Sequence, residues 1–486
     1  KAEIRAMKRY EIPYFYSIFG ENFLRDDMGK KLNIKLYRSS KELFQEKMEC
    51  LSKEDEELQM EIIRVAFFTQ TPQSLHTNIK YSENETPVKK QEKEEYLVTA
   101  KKIADYLLRT SVNGVNGNGA VDVMWFESSP DRLDVDDWTY SVASFDLYNG
   151  TSGIGLFLLN MWKATGEIKY LNKSRETLEP IIRFIKNGTY NYTELLGAYN
   201  GIGSYLYFLS KFVISTGDNT LLPILKYGID LLDDKIRTGK ECDLVAGTIG
   251  LLAVMLNILE EHKEEELTEK AKKMAYKLFY SFYDDVKEEN RIITYSGFAH
   301  GIAGCIPYLY KLYLYEQNQD VYGLFQRLLA YERKMFLEKE NKNWKIKTNE
   351  INYGKAWCHG APGILLEKTM LLNMGYKDKL LIDEIKWGIA QTIETGIGNN
   401  IVYCHGDIGN LEILYFAAQT LKDESMCAKC QNTYHDLYIQ HIQQGWNDIR
   451  KSYSKCKGIM LGVSGIGFSL LRMSIRENID NFLWIG

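Results

Sequence analysis

An all-α protein built from about seven helical hairpins is what this 486-residue sequence predicts. Three observations carry that expectation. Seven segments share a small residue, two variable positions and a glycine, followed by an apolar run of helical length. They are NGTSGIGLFLL, GAYNGIGSYLYFL, AGTIGLLAVML, HGIAGCIPYLY, HGAPGILLEKTML, HGDIGNLEILYF and LGVSGIGFSLL, with first small residues Gly150, Ala198, Gly247, Gly301, Gly360, Gly406 and Gly462. Between the motifs lie amphipathic stretches such as EKAKKMAYKLFYSFYDDV and DEIKWGIAQTIETGI, and strand-like alternation is sparse. A repeat of about 50 residues has room for two helices and short connections. The apolar helix of each pair suits an inner layer and the amphipathic one an outer layer. Such hairpins close into an α/α toroid or stack as an open solenoid. In a ring, every glycine turn falls on one rim around a central cavity.

The remaining elements follow in chain order. Residues 1–70 read as helical, with apolar residues at helical spacing in KELFQEKMECLSKEDEELQMEIIRVAFF and an N-cap signal at Ser52 ahead of Asp55 and Glu56. Residues 71–92 are mostly polar and read as a linker. The repeat domain is expected over 93–486, with a helix starting near Lys93. A Gly/Asn/Asp/Ser-rich loop over 111–145 carries Trp125 and Trp138 as apolar anchors.

Composition excludes several classes of function. A net charge of -5 and a pI near 6.0 argue against nucleic acid as a partner, because phosphate binding needs a basic face. No apolar run reaches the roughly 18–20 residues that span a bilayer, and the charged start KAEIRAMKRYEIPYF lacks the apolar core of a signal peptide. Opening on Lys1, the chain reads as the later part of a longer one. Eight scattered cysteines in so long a chain read as thiols or metal ligands of a cytoplasmic protein, not as a disulfide framework. Cys50, Cys242, Cys305 and Cys456 are expected to pack as small apolar residues, and Cys427-Ala-Lys-Cys430, with no second CxxC, as an incidental pair of thiols.

Chemistry concentrates in the turns. Cys358-His359-Gly360 and Cys404-His405-Gly406 sit 46 residues apart, each at the start of a repeat motif. Counted back from the first small residue, both cysteines are at position minus two. His300, His359 and His405 are at minus one, and Asp243 is at minus four. Cys and His are the ligands zinc prefers, and a catalytic zinc takes three protein ligands and leaves a position open. A lone histidine there would more often be a satisfied cap of a buried helix. Two Cys-His-Gly triplets in register weigh toward a site.

With AHG, WCHG and CHG in that order, the series resembles the lanthionine synthetase cyclase family over about residues 95–486. Trp357-Cys358-His359-Gly360-Ala-Pro-Gly with the downstream Cys404-His405-Gly406 is similar to the cyclase half of bifunctional class II lanthipeptide synthetases. Glu11-Ile12-Pro13-Tyr14-Phe15 is similar to a stretch near the end of their dehydratase domain, with Glu11 where the family has Asp. The resemblance implies an α/α toroid, a double ring of about seven helical hairpins, preceded by a short helical remnant of a dehydratase domain. It implies one zinc ion on Cys358, Cys404 and His405, with His300 as acid/base and Asp243 as its partner. Lys355 and Trp357 would line the site, and His359 would stand behind the ligands or line the substrate path. The implied reaction is addition of a peptide Cys thiol to dehydroalanine or dehydrobutyrine in the same dehydrated precursor peptide, closing a thioether ring. Dehydration itself is not expected of this fragment. Association with an export transporter at the membrane is also implied, without a span of its own.

The chemistry needs these groups. A free thiol with a pKa near 8.5 is mostly protonated at neutral pH, and zinc coordination removes that proton. Attack on the alkene leaves a carbanion that a group titrating near neutrality, such as His300, can protonate. A toroid glycosidase would work instead with two carboxylates, for which Asp243 and Asp407 are the candidates, but it needs no Cys-His-Gly pair. A thiol-binding relative without ring closure, taking glutathione for example, is the other alternative, and a purely structural zinc would need His359 as fourth ligand.

Overall fold

The structure is a computed structural model. It describes residues 2–68, 76–115, 119, 121–130, 138–188, 195–232, 241–287, 293–447, 456–475, 479 and 481–485. The chain divides into two compact units, Lys1–Arg64 and Val65–Gly486.

The first unit is less helical than its sequence suggests. Helix α1 (Ala2–Met7) precedes an antiparallel pair, β1 (Phe23–Arg25) and β2 (Lys31–Lys35), before α2 (Ser40–Glu49) and the start of α3 (Lys53–Phe68). A capping box starts α2: Ser39 Oγ accepts from Glu42 N at 3.2 Å, and Glu42 Oε2 accepts from Ser39 N at 2.7 Å. Ser52 Oγ accepts from Asp55 N at 3.1 Å, as its N-cap signal predicts.

In the second unit, α4 (Lys90–Arg109) leads into two hairpins, β3 (Val112–Val115) with β4 (Val121–Met124), and β5 (Phe126–Pro130) with β6 (Trp138–Val142). The sequence reads this region as loop, because its Gly, Asn and Asp residues are hairpin-turn residues whose flanking strands are too short to show alternation. Trp125 is the expected anchor: it is fully buried and donates from Nε1 to Leu107 O at 2.8 Å. The Trp138 side chain lies outside the described residues. The polar segment expected as a linker is laid on the ring from residue 76 onward. Thr77 N donates to Asn399 O and Asn78 N to Gly398 O, and Asn432 Nδ2 reaches Asn84 O and Thr86 O.

Seven helices form the inner layer: α5 (Thr151–Thr165), α7 (Ile202–Thr216), α9 (Thr248–Glu261), α11 (Ile306–Glu316), α13 (Ala361–Asn373), α15 (Asp407–Leu421) and α17 (Val463–Ile475). They alternate with outer helices α6 (Ile168–Lys186), α8 (Leu222–Asp230), α10 (Glu265–Lys287), α12 (Gln319–Met335), α14 (Leu381–Thr395) and α16 (Glu424–Leu437), while α4 packs on α17. Inner helices are buried on all sides, as α9 is from Thr248 to Ile258. Outer helices bury one stripe, as α6 does with Tyr170, Ser174, Leu178, Ile181 and Ile185. Neighbouring inner helices pack in sequence from α5 to α15, and α17 packs back on α5. The result is a closed double ring, the α/α toroid.

The centre is not empty. Phe482–Trp484 forms a short 3-10 turn on the axis, held by groups from around the ring. Tyr199 OH donates to Phe482 O and Tyr308 OH to Trp484 O, both at 2.6 Å. The Phe482 ring lies 4.7 Å from Tyr403 and 5.1 Å from Phe468, and Trp484 stacks on Phe416 at 4.6 Å. Arg472 and Asn481 converge on the buried Glu412 below this plug. Phe482 is 1% exposed, so Phe482→Ala should cost about 3–5 kcal/mol in chemical denaturation. A loss of under about 1 kcal/mol would show that the tail does not fill the axis.

Candidate active site on the rim

Inner helices start at glycine N-caps, and the structure sets the register: Gly150, Gly201, Gly247, Gly301, Gly360 and Gly406 precede the first six, the fourth through a 3-10 turn, and the Gly462 motif opens the seventh. The second repeat therefore counts from Gly201, not from Ala198 as its motif suggests: the small-x-x-Gly match runs from Ala198 to Gly201, the helix is capped by that later glycine, and Ser204 stands where the other repeats have their second glycine. Corrected in this way, position minus two holds Tyr148, Tyr199, Val245, Ala299, Cys358, Cys404 and Met460.

At or next to this position the turns join through their peptides. Tyr148 N donates to Tyr199 O at 3.1 Å, Tyr199 N to Val245 O at 3.2 Å, and Val245 N to Ala299 O at 3.3 Å. Phe298 N donates to Trp357 O at 3.3 Å, Cys404 N to Met460 O at 3.2 Å, and Met460 N to Tyr148 O at 2.9 Å. Between the fifth and sixth turns, Asn410 Nδ2 donates to Lys355 O at 2.8 Å, and there the two cysteines meet.

The fifth turn is a tight hairpin in which Lys355 bridges Gly360 and Ala356 N donates to His359 O at 3.2 Å. Gly360 has φ +130°, closed to other residues without strain. Gly297 lies so close beneath this tip that a Cβ there would stand 2.0 Å from Cys358 O.

At the tip, the thiols of Cys358 and Cys404 are neighbours. The Cys404 thiol, opposed by desolvation and aided by the charge of His300, holds the half-buried Cys358 thiol below its usual range, and the Cys358 thiol together with burial pushes Cys404 well up. Cys404 is 4% exposed and accepts a hydrogen bond at 2.9 Å from Tyr148 OH on the first turn. Burial, then proximity to both cysteines, raises the Tyr148 phenol, so it stays protonated and donates. His300 Nδ1 and Asp243 Oδ2 are 2.7 Å apart, and Asp243 Oδ1 accepts from Ala246 N at 2.7 Å. Desolvation is the largest influence on His300 and favours the neutral ring. The hydrogen bond and charge of Asp243, with Cys358 behind them, outweigh it and raise the His300 pKa above 6.5.

Other expected site residues fall differently. His359 stacks on His300 with ring centroids 5.5 Å apart and packs on Tyr295 at 5.4 Å. Desolvation, then the charges of His300 and Lys347, bring it down to about 4, and its buried Nδ1 has no hydrogen-bond partner. Lys355 is exposed on the rim. Trp357, expected to line the site, is instead fully buried, edge-on to Tyr199 at 5.3 Å, because the minus-three side chain points into the ring. Asp407, the second carboxylate of the glycosidase alternative, is also buried: its Oδ1 accepts from Gly398 N at 2.9 Å and Asn399 N at 3.1 Å, and its Oδ2 from Thr77. It ties the sixth turn to the polar segment at Thr77, which acts as a strap on the ring, and does not face Asp243 across a cavity. Cys305 and Cys456 are buried and Cys242 is half-buried, but Cys50 is exposed. Cys430 is buried beside Tyr81 OH at 3.5 Å.

Two neighbouring thiols, each with a histidine next in sequence, are donors of the kind zinc selects. Among the described residues, no three His, Cys, Asp or Glu side chains converge as a metal cluster. His405, on the rim and exposed, does not close on the two sulfurs here; desolvation lowers its pKa and favours the neutral, ligand-competent ring. The site thus fits zinc in the chemistry of its donors.

An α/α toroid with a thiol pair and an Asp–His pair on one rim defines the class. The chain belongs to the family described as lanthionine synthetase C-like protein, whose profile matches residues 141–484. It is similar to the lacticin 481/lactococcin biosynthesis protein LcnDR2 of Lactococcus lactis subsp. lactis, 24% identical over 98% of this chain, and spans about half (51%) of that relative's length. A solved structure named nisin cyclase superposes with a TM-score of 0.55 at 17% identity, covering 70% of this chain and 92% of that one, which shows the shared fold. No helix among the described residues is long and apolar enough to cross a membrane.

Because Asp243 raises His300, replacing Asp243 by Asn should move the imidazole titration of His300 downward in NMR. The sign carries into stability. The pair stabilises the fold fully below about pH 6.5, and the contribution is lost as pH rises through the folded pKa of His300. An unchanged titration in Asp243→Asn would remove the coupling.

Proposed function

We propose that this chain is a thioether-forming cyclase that adds Cys thiols of a dehydrated precursor peptide to dehydroalanine or dehydrobutyrine in the same peptide. The family supports the reaction class, and the single observation that carries the mechanism is the His300–Asp243 pair beside the neighbouring thiols of Cys358 and Cys404. In this reading Cys358, Cys404 and His405 hold one zinc ion. Bound there, zinc supplies a position at which a peptide thiol is held as thiolate near neutral pH.

The chain's own residues do the rest. Asp243 accepts the Nδ1 proton of His300, which fixes the tautomer and leaves Nε2 as the working nitrogen. The substrate sulfur bonds to Cβ as the alkene π bond breaks, and the electron pair moves to Cα and its carbonyl. His300 delivers a proton from Nε2 to Cα; the proton lost by the thiol restores the balance, and no oxidant or nucleotide is consumed. Such proton transfer contributes on the order of 10²–10⁴-fold. His359, neutral and stacked on His300, holds that ring in place and adds no second positive charge. The axial plug of Phe482–Trp484 confines the peptide to the rim, where ring closure is intramolecular and gains from positioning.

The test is mass spectrometry of a dehydrated peptide incubated with the chain without ATP, with alkylation to count free cysteines. About one zinc per chain is expected. Cys404→Ala should lose both zinc and ring closure; retention of both would refute the ligand set. His300→Ala should keep its zinc and lose roughly 10²–10⁴-fold in ring closure, and undiminished cyclisation by this variant would remove the acid/base role.

A further inference from the structure

Tyr148 takes no part in the chemistry above, yet it occupies in the first turn the position that Cys358 and Cys404 occupy in the fifth and sixth. Its phenol donates to Cys404 Sγ at 2.9 Å, a contact across the rim between residues 256 positions apart. Both of its peptide groups are committed to the ring. Tyr148 N donates to Tyr199 O, and Tyr148 O accepts from Met460 N, whose own carbonyl accepts from Tyr403 N and Cys404 N. Phenol and thiol therefore hang from one run of backbone bonds that passes from the first turn through the seventh to the sixth, and their separation is fixed by ring closure. Cys404 is nearly inaccessible to water, so the phenol takes the place that solvent would hold around a thiolate.

We propose that Tyr148 is a positioning residue for the rim site, holding Cys404 Sγ in its metal-binding orientation and supporting its thiolate by an O–H···S hydrogen bond. The inference rests on the zinc reading above. Partners of this kind behind a ligand typically change metal affinity 10–100-fold. The register supplies its own control: Tyr199 holds the same position in the second turn, but its hydroxyl donates to Phe482 O in the axial plug and not to sulfur.

The experiment titrates the metal-free chain with zinc against a chromophoric chelator, for the unmodified chain, Tyr148→Phe and Tyr199→Phe. Tyr148→Phe should raise the zinc Kd by about 10–100-fold with an unchanged Tm, because its peptide bonds to the ring remain. In the cobalt-substituted protein, the sulfur-to-cobalt charge-transfer band should move to lower energy as Cys404 loses its donor. Tyr199→Phe should lower Tm and leave both readouts where they were. An unchanged Kd and band in Tyr148→Phe, or equal weakening in Tyr199→Phe, would overturn the role of Tyr148 and leave the zinc site standing. Failure of the unmodified chain to bind zinc would overturn both.

Discussion

Hydrogen bonds between consecutive turns, peptide to peptide except for the Asn410 side chain between the fifth and sixth, hold the rim together, and the placement of each reactive side chain follows from them. An inner helix cannot shift along its axis without breaking the bond that its leading turn makes with the next. Because most of the bonds join residues at minus two, and one joins residues at minus three, the side chains at minus two and minus one are brought to a common height around the ring. The sequence separation between Tyr148 and Cys404, or between Asp243 and Cys358, then says nothing about their distance. A repeat of about 50 residues thus becomes a ring of about seven addresses, and chemistry is written by what stands at each.

The addresses are not equivalent. Where the neighbouring turns carry Tyr199, Val245 and Ala299, the minus-two side chains are buried packing. At the fifth and sixth turns the same position carries sulfur, and Asn410 spans the junction from its helix to Lys355 O. The glycines at 297 and 360 permit it: one lets the fourth turn pass under Cys358, the other reverses the hairpin at its tip. Burial does electrostatic work here. It keeps His359 neutral and raises Tyr148, while His300, exposed and paired with the Asp243 carboxylate, keeps its proton to higher pH. Neighbouring titratable groups with pKa values pushed apart are what a site needs to hold one proton and give up another.

Much of this was legible in sequence. Helical period, all-apolar inner runs and the glycine motif were enough for the double layer, and the Cys-His-Gly triplets for the rim site. What the motif could not settle was register in the second repeat: its small-x-x-Gly match starts at Ala198, but the helix is capped by Gly201, with Ser204 in place of the second glycine. Trp357 was misplaced because proximity in sequence to Cys358 says nothing about whether a side chain faces the rim or the core. The short strands over 112–142 were missed because strands of four or five residues leave too little alternation to read. The strap at Thr77 was missed because its holding groups, Asp407 and Asn399, lie more than 300 residues away.

Tyr148 shows what a register can reveal and a motif cannot. Nothing in Asn149-Gly150-Thr151 marks the first turn as part of a thiol site, since it has neither Cys nor His. Once the ring is closed, the first turn is separated from the sixth only by the seventh, whose Met460 bonds to both. A tyrosine at the cysteine position there has a side chain long enough to pass Met460 and reach the sulfur. Ring closure therefore does more than bury apolar surface. It brings the first repeat, the farthest of the seven from Cys404 in sequence order, to within one hydrogen bond of it.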